Sequence, residues 1–247
     1  MASLPLSAAH RRRLRQVWRS AGWPCQDLME VELLAAGLLE RRLDDAGRET
    51  LRVTDAGVQV LAATLHANRA AFDAHESLVG RVVAEMQRAG RLVWRGLSLR
   101  APPVATPGEG GPRVWPVVLP DVFSIRHTTV EDFVEPIVHE VKVRRADLLS
   151  DLRNPAKRAA YLGLASQCWY VLQAGIGSAD DVPPECGVMI AHPHGLDVAR
   201  PAPRRAMRLP LATWMSLARA DVVPPPDDDG QALLGDPGGP DGPTTGG

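Results

Sequence analysis

The sequence predicts an α/β (α+β) protein in two parts, a small helical domain with a β-hairpin and a larger domain with a mixed sheet flanked by helices. Three observations lead to this prediction. Helical patterns and one hairpin pattern fill the first 74 residues, whereas strand-like and helical segments alternate from residue 75 onwards. The residues from 223 are rich in Pro, Gly and Asp and have little to bury. We therefore expect domains at 1–74 and 75–222 and a disordered tail at 223–247.

The composition restricts the classes of function. The chain has 247 residues, 45% of them hydrophobic, and a formal net charge of −1. This charge argues against a globally basic protein that coats nucleic acid, but it is compatible with a local basic face. No apolar run approaches the roughly 18 residues that span a bilayer. The N-terminus lacks the pattern of a secretory signal. We expect a cytoplasmic protein with no membrane partner.

The cysteines indicate neither a disulfide framework nor a zinc cluster. There are three, Cys25, Cys168 and Cys186, and they are far apart with no CxxC pair. The histidines His192 and His194 alternate as strand ligands would, but they lack a third member, so a zinc site there is the weaker interpretation.

The first domain is predicted from four successive patterns. Helical spacing over residues 7–21 is followed by a second helix that Pro24 can begin. The apolar positions of residues 38–53 flank a turn with Asp and Gly, which predicts a hairpin. Thr54 is a suitable N-cap for a helix over residues 55–72.

This order of helix, helix, hairpin and helix resembles a winged helix-turn-helix domain, and the resemblance implies contact with DNA. A protein-interaction or dimerisation module is the alternative. The first helix carries a run of arginines that can meet phosphate groups. They are Arg11, Arg12, Arg13, Arg15 and Arg19.

The second domain alternates helical and extended segments. A helix is predicted from about His75 to Gly90, and another over residues 146–165 with a break at Asn154-Pro155. A last helix is predicted near residues 211–220, and a Pro/Gly loop at 101–113. The predicted strands are residues 91–100, 114–126 (interrupted by Pro120), 135–143, 167–176 and 186–192. We expect the six tryptophans to belong to the core.

The segment Glu140-Val141-Lys142 carries the most chemical information. Side chains alternate along a strand, so Glu140 and Lys142 share one face, whereas His139 points to the other and is expected to be a satisfied buried histidine. Asp121 comes from the preceding strand, directly after Pro120. If the two strands pair, Asp121 and Glu140 can converge on a divalent cation, for which Mg²⁺ or Mn²⁺ suits the oxygen donors.

The use of lysine supports this interpretation. The chain has 26 arginines but only two lysines, Lys142 and Lys157. An ammonium group is a compact charge whose pKa responds to burial, whereas a guanidinium is planar and permanently charged. Lys142 can therefore orient a nucleophilic water or meet the charge that develops on a phosphate. The bland alternative is an exposed ion pair between Glu140 and Lys142, which would contribute little.

The order of Pro120-Asp121 and then Glu140 to Lys142 resembles the PD-(D/E)XK nuclease superfamily. From about residue 78 to residue 220 the chain looks most like its MmcB-like group of DNA-repair nucleases. The segments that carry this resemblance are PDVFSI, IVHEVKV, ADLLSDL, AKRAAY, CWYVL, VPPECGVMIAH and LDVARPAPRR.

The resemblance implies a Mg²⁺- or Mn²⁺-dependent deoxyribonuclease of DNA repair or DNA processing. Asp121, Glu140 and the Val141 carbonyl would hold the cation, and Lys142 would assist the attacking water. The residues that fill further positions of the group's pattern are Asp147, Asp151, Lys157 and Tyr161. The residues expected to contact DNA are Arg144, Arg145, Lys157, Arg158 and Tyr161.

Two features leave alternatives open. Many superfamily members add an acid from the helix before the first strand, and both Glu76 and Glu85 are candidates for it. The MmcB-like group commonly has Ser after the ExK motif, where this chain has Val143-Arg144. A catalytically inactive DNA-binding or regulatory protein with a nuclease fold is therefore the alternative. A homodimer is also open, since many nucleases of this superfamily act as dimers.

Overall fold

The fold divides into two units, Met1–Glu76 and Ser77–Gly247. The structure is a computed structural model and describes residues 5–102 and 115–224. The prediction of a mixed α/β protein with a mixed sheet flanked by helices is confirmed. Among the described residues, no helix combines the length and the apolar character needed to cross a membrane.

The elements follow in this order. The helices are α1 (Ala8–Arg19), α2 (Leu28–Ala35), α3 (Asp55–Arg88), α4 (Arg145–Leu152), α5 (Pro155–Leu162) and α6 (Leu211–Arg219). The strands are β1 (Leu39–Leu43), β2 (Glu49–Val53), β3 (Arg91–Arg95), β4 (Leu99–Arg100), β5 (Val117–Val118), β6 (Val122–Arg126), β7 (Ile137–Lys142), β8 (Gln167–Gln173), β9 (Gly187–His192) and β10 (Gly195–Arg200).

The N-terminal unit packs α1 and α2 against the β1–β2 hairpin. Ser7 caps α1 by accepting the N–H of His10, and Asp27 caps α2 by accepting the N–H of Glu30. In the hairpin turn, Asp44 accepts the N–H of Arg48 at 2.8 Å. The buried apolar side chains of this unit form one cluster. They are Leu14, Val17, Leu33, Leu38, Leu39, Leu51 and Val53.

The larger unit is built on a six-stranded sheet in the order β10-β9-β8-β7-β6-β3. Its central pairs, β9 with β8 and β8 with β7, are parallel, and its outer pairs are antiparallel. A separate pair, β4 with β5, is antiparallel. The sheet is therefore mixed, and β7 lies inside it with a neighbour on each side.

Helices cover both faces of this sheet, because alternate residues of the central strands enter two different cores. On one face, Val141 packs with Val82 and Val83 from the C-terminal part of α3. On the other face, Val138 packs with Leu148 of α4 and with Ala160 of α5. Burial on both faces explains the nearly continuous apolar character of β8.

Two helix predictions were wrong in their bounds. The expected helices at 55–72 and 75–90 are one helix, α3, because the residues between them include no Gly or Pro to interrupt it. The second helix begins at Leu28 and not at Pro24. Gln26 has a φ of 55°, which no helix accommodates, and the cap follows it.

Two strand predictions also need correction. The expected strand at 91–100 ends at Arg95, because Gly96 has a φ of 53° and turns the chain towards β4. The edge strand β10 was not predicted. Most of its residues are exposed or half-buried, so the apolar pattern that marks a central strand is missing there.

The other differences concern burial and the tail. Trp18, Trp23 and Trp115 are 57%, 62% and 43% exposed, so they are not core residues as expected. The N–H of Val223 donates to the carbonyl of Val93 at 2.8 Å, so the ordered chain extends past residue 222. The rest of the predicted tail, and residues 103–113 of the predicted loop, lie outside the described residues.

Candidate active site

Strand β7 holds Glu140 and Lys142 on the face that α4 and α5 cover. As predicted from strand alternation, both side chains lie on one face, and the Lys142 Nζ donates to Glu140 Oε1 at 2.6 Å. The side chains are only 5% and 12% exposed. The pair is therefore largely buried, and the alternative of an exposed ion pair is wrong.

Asp121 is fixed at the same level of the sheet. In the β6–β7 pairing, Val122 lies opposite His139, so the preceding residue, Asp121, comes level with Glu140. Its Oδ2 accepts the N–H of Val141 at 2.7 Å. The Asp121 carboxylate is therefore held next to Glu140 by a hydrogen bond from the backbone of the following residue, Val141.

The break between α4 and α5 brings a second lysine into this site. Asn154 accepts the N–H of Lys157 and caps α5, while Pro155 occupies its first turn. The Lys157 Nζ donates to Glu140 Oε1 and to Asp151 Oδ1, both at 2.6 Å. Both lysines of the chain therefore bind the same carboxylate oxygen.

Two tyrosines complete what we call the carboxylate cluster, namely Asp121, Glu140, Lys142, Asp151, Lys157, Tyr161 and Tyr170. The Tyr161 hydroxyl donates to Glu140 Oε2 at 2.9 Å, and the Tyr170 hydroxyl donates to Asp151 Oδ2 at 2.7 Å. Tyr161 is 3% exposed, so its expected role as a surface contact for DNA does not fit its position.

Tyr170 was not singled out from the sequence. It lies beside Glu140 in the parallel β7–β8 pairing, and this register is set by tertiary structure. Strand alternation in the segment CWYVL could have indicated on which face of the sheet Tyr170 lies. It could not have indicated that Tyr170 contacts Asp151.

The charged members of the cluster are three carboxylates and two ammonium groups. Burial raises the pKa of the Tyr161 hydroxyl, and the charges of Glu140, Asp121 and Asp151 raise it further. Tyr161 therefore stays protonated and acts as a hydrogen-bond donor.

The charge pair of Lys157 and Asp151 is strongly favoured. Burial lowers the pKa of the Lys157 ammonium, but the charge of Glu140 and the hydrogen bonds to both carboxylates outweigh it, and the pKa is raised. Burial acts to raise the pKa of Asp151, but hydrogen bonds from Lys157 and Tyr170 and the charge of Lys142 lower it overall. Both groups are charged at neutral pH.

The remaining candidates lie around this cluster. Arg145 pairs with Asp181 at 3.1 Å, and Arg158 pairs with Glu185 at 2.9 Å, so each already has an acidic partner in its own unit. Arg144 occupies the N-cap position of α4 and is half-buried.

The two candidates for the additional acid have partners on their own helix. Glu85 pairs with Arg88 at 2.6 Å, and Glu76 lies 3.3 Å from His75. The acid that the structure joins to Glu140 is Asp151, through their shared lysine. The sequence could not give this arrangement, because it depends on the angle between α4 and α5.

The carboxylate oxygens of the cluster are donors of the type that a hard divalent cation prefers. Carboxylate oxygens are the ligands that Mg²⁺ prefers, and Mg²⁺ is often held by one or two carboxylates together with water. In residues 5–102 and 115–224, however, no three His, Cys, Asp or Glu side chains are arranged to hold a metal ion. Asp121 and Glu140 supply two carboxylates, and one oxygen of Glu140 already accepts two ammonium groups.

The histidines take no part in this cluster. His139 is fully buried on the opposite face, and neither of its ring nitrogens has a hydrogen-bond partner among the described residues. It is therefore buried as expected, but it is not satisfied. Burial, with the charge of Arg91, lowers its pKa to about 3. His192 lies 3.5 Å from Asp197 and is half exposed.

Comparisons with known proteins give one structural neighbour to report. No protein-family model matches the chain, and no curated protein matches it. Among solved structures, the chain is similar to the SPO1766 protein of unknown function from Silicibacter pomeroyi, with 21% sequence identity and a TM-score of 0.39. The similarity covers 57% of this chain and 79% of that one.

Proposed function

We propose that this chain is a metal-dependent DNA endonuclease-like protein of the PD-(D/E)XK type that hydrolyses phosphodiester bonds in the cytoplasm, in DNA repair or DNA processing. One observation carries the proposal. The chain's two lysines meet on one oxygen of Glu140, in the strand that carries the E-V-K motif and beside Asp121.

A purely structural role explains this cluster poorly. Taking charges out of water is costly, and buried ion pairs can often be replaced by apolar residues without loss of stability. Asp151 and Lys157 also have shifted pKa values and a defined set of charged partners, which is typical of functional sites. A catalytic role at the end of β7 explains this group of buried charged side chains better than a structural role does.

Each side chain has a role in this proposal. Asp121, Glu140 and the Val141 carbonyl would hold Mg²⁺ or Mn²⁺. When bound, such a cation neutralises charge on the phosphate and lowers the pKa of a coordinated water. Lys142 meets the negative charge that develops on the phosphate. Lys157 and Tyr161 are positioning residues, because each fixes one oxygen of Glu140.

The N-terminal unit would position the DNA as a winged helix. Its α1 has three exposed arginines at spacings of three and four residues, Arg12, Arg15 and Arg19, so they share one face of the helix. Arginines of the hairpin pair with acids, as Arg41 does with Glu49 and Arg48 with Asp44. The face of α1 is thus the better phosphate-binding surface. A homodimer would allow both strands of a duplex to be cut.

Cleavage of DNA tests the proposal. Supercoiled plasmid, duplex, flap and single-stranded substrates are incubated with the protein and Mg²⁺ or Mn²⁺. We expect metal-dependent products, and a loss of about 100-fold or more in rate for Lys142→Ala and for Asp121→Ala. Arg208→Ala serves as the matched control, because Arg208 is an exposed arginine of the same unit that pairs with Asp132.

Cleavage that survives both site substitutions would reject the proposal. Binding of DNA without cleavage would favour a second candidate, a catalytically inactive DNA-binding or regulatory protein with a nuclease fold. One observation favours that candidate. Glu140 Oε1 already accepts two ammonium groups, which compete with a cation for the same oxygen.

A further inference from the structure

A cavity of about 340 Å³ lies on the face of the large sheet that is opposite to the carboxylate cluster. Ile137 and His139 of β7 line it, and they alternate with Val138 and Glu140, which face the other way. Its other walls come from the end of α3, from β3, β8 and β9, and from the segments around Glu135 and Arg204.

The cavity has more positive than negative charge. Three arginines and one acid line it, namely Arg91, Arg126, Arg204 and Glu135. Arg126 pairs with Glu135 at 2.7 Å, and Arg204 bonds the other oxygen of the same carboxylate. One carboxylate offsets one of the three guanidinium groups, so two positive charges remain.

Within the described residues, the Arg91 guanidinium donates its hydrogen bonds to neutral oxygens. Its Nε donates to Ser124 Oγ at 2.9 Å, and its Nη2 donates to the carbonyls of Ser124 and Glu135. Burial lowers the pKa of Arg91 to about 10. A partly buried cation with only neutral acceptors is a natural partner for an anion.

His139 adds an unused donor to the same wall. Its side chain is fully buried, and neither ring nitrogen has a partner among the described residues. Buried polar groups are nearly always hydrogen-bonded, so an orphaned imidazole that lines a cavity points to a ligand. An uncharged imidazole ring can donate one N–H.

The rest of the wall combines apolar side chains with the polar residues Ser166 and Gln167. Trp169, Met86 and Met189 line the cavity beside the arginines. Aromatic and thioether side chains pack well against planar rings. The volume lies at the lower end of the range for small-molecule sites. Glu135, which binds two of the arginines, has a φ of 43°, a conformation that costs energy and is often found at functional sites.

We propose that this cavity binds an oxyanion joined to a flat ring, the chemistry of a nucleoside monophosphate, whether free or at the 5′ end of a DNA strand. The phosphate lies against Arg91, Arg126 and Arg204, and the ring lies against Trp169. His139 donates to the ligand between these two parts. The site is separate from the carboxylate cluster and goes beyond the proposed nuclease activity.

Calorimetric titration of the full chain in EDTA tests this inference, because no divalent cation is then available to the carboxylate cluster. The probes are a nucleoside 5′-monophosphate, the nucleoside without phosphate, and a short single strand with or without a 5′ phosphate. We expect one site for the monophosphate or for the phosphorylated strand. The nucleoside and the strand without phosphate should bind at least about tenfold more weakly.

Substitutions locate the site. Arg204→Gln and His139→Leu should each weaken binding about tenfold or more, since each removes a donor to the ligand. Arg204 is exposed, so its variant keeps the test valid if the buried His139→Leu fails to fold. Arg208→Gln is the control and should bind as the unchanged protein does.

The outcomes are distinct. Binding of the free nucleotide identifies a metabolite as the source of the ligand, and binding of the phosphorylated strand alone identifies a DNA end. Either supports the inference if Arg204→Gln weakens it. Absence of binding by any probe at millimolar concentration, or binding that Arg204→Gln leaves unchanged, would overturn it. Neither result depends on whether DNA is cleaved.

Discussion

Glu140 Oε1 accepts two ammonium groups at 2.6 Å, from the only two lysines in a chain with 26 arginines. A guanidinium is broad and planar, and two of them cannot easily meet one oxygen, whereas ammonium groups are compact and rotate freely. Lysine is therefore used where two cations converge. The sequence indicated Lys142 from strand alternation, but it could not show that Lys157 turns towards the same carboxylate.

His139 gives a prediction about pH at the same scale. Unfolded histidine has a pKa near 6.5, whereas in the folded chain burial and Arg91 lower it to about 3. Between these values only the unfolded state binds the proton, so the contribution of His139 to stability is fully present above pH 6.5 and is lost as the pH decreases through this window. We expect His139 to remove about 2 kcal/mol of unfolding free energy between pH 6.5 and 4.5.

Chemical denaturation at a series of pH values measures this contribution. His139→Leu should lose less stability on acidification than the unchanged chain does. His194→Gln is the control, because His194 is exposed and its variant should follow the unchanged chain. Parallel curves for His139→Leu and the unchanged chain would show that the buried imidazole does not titrate as described.

At the scale of elements, the short helices α4 and α5 decide the shape of the site. Asn154-Pro155 ends one helix and begins the next, and this break lets Asp151 and Lys157 meet across it. The sequence predicted the break from the proline. It did not predict the contact with Glu140, because the angle between two helices follows from packing on the sheet, which local patterns do not encode.

Helix α1 gives a prediction about DNA. If the exposed face of Arg12, Arg15 and Arg19 contacts phosphates, replacing all three by Gln should weaken DNA binding. The slope of log K against log salt concentration should also become less steep by about 0.9 for each lost contact. Fluorescence anisotropy with a labelled duplex at several salt concentrations measures both quantities.

The hairpin supplies the matched comparison. Arg41, Arg42 and Arg48 each pair with an acid, so their replacement by Gln should change the slope less. An equal effect of the two triple substitutions would show that only the total charge matters. No effect of either would remove the N-terminal unit from DNA binding and favour its role as an interaction module.

At the scale of the whole molecule, the sequence predicted the fold class well, but it predicted the bounds of the helices and strands less well. The alternation of His139, Glu140 and Lys142 was enough to predict the strand and its two faces. The continuity of α3 was not predicted, because the two expected helices lay on either side of an expected domain boundary at residue 74. Strand β10 was missed because an edge strand buries little and leaves a weak apolar pattern.

The same limit applies to the candidate site. Asp121 and Glu140 were expected to be neighbours because their strands were expected to pair, and they come level in the β6–β7 register. Two of the partners of Glu140, Tyr161 and Lys157, come from a helix that follows β7 in the chain. Such contacts between distant residues depend on how layers pack, which a single sequence specifies only through the complete fold.

Calorimetric titration of Mn²⁺ into the folded full chain tests most directly whether Asp121 and Glu140 form a cation site beside Lys142. We predict one site per chain, abolished by Asp121→Asn and by Glu140→Gln. It should be retained in Glu131→Gln, a control at an exposed acid. Circular dichroism confirms that each variant is folded. Absence of binding by the unchanged chain, or binding that both site substitutions leave intact, would contradict the account.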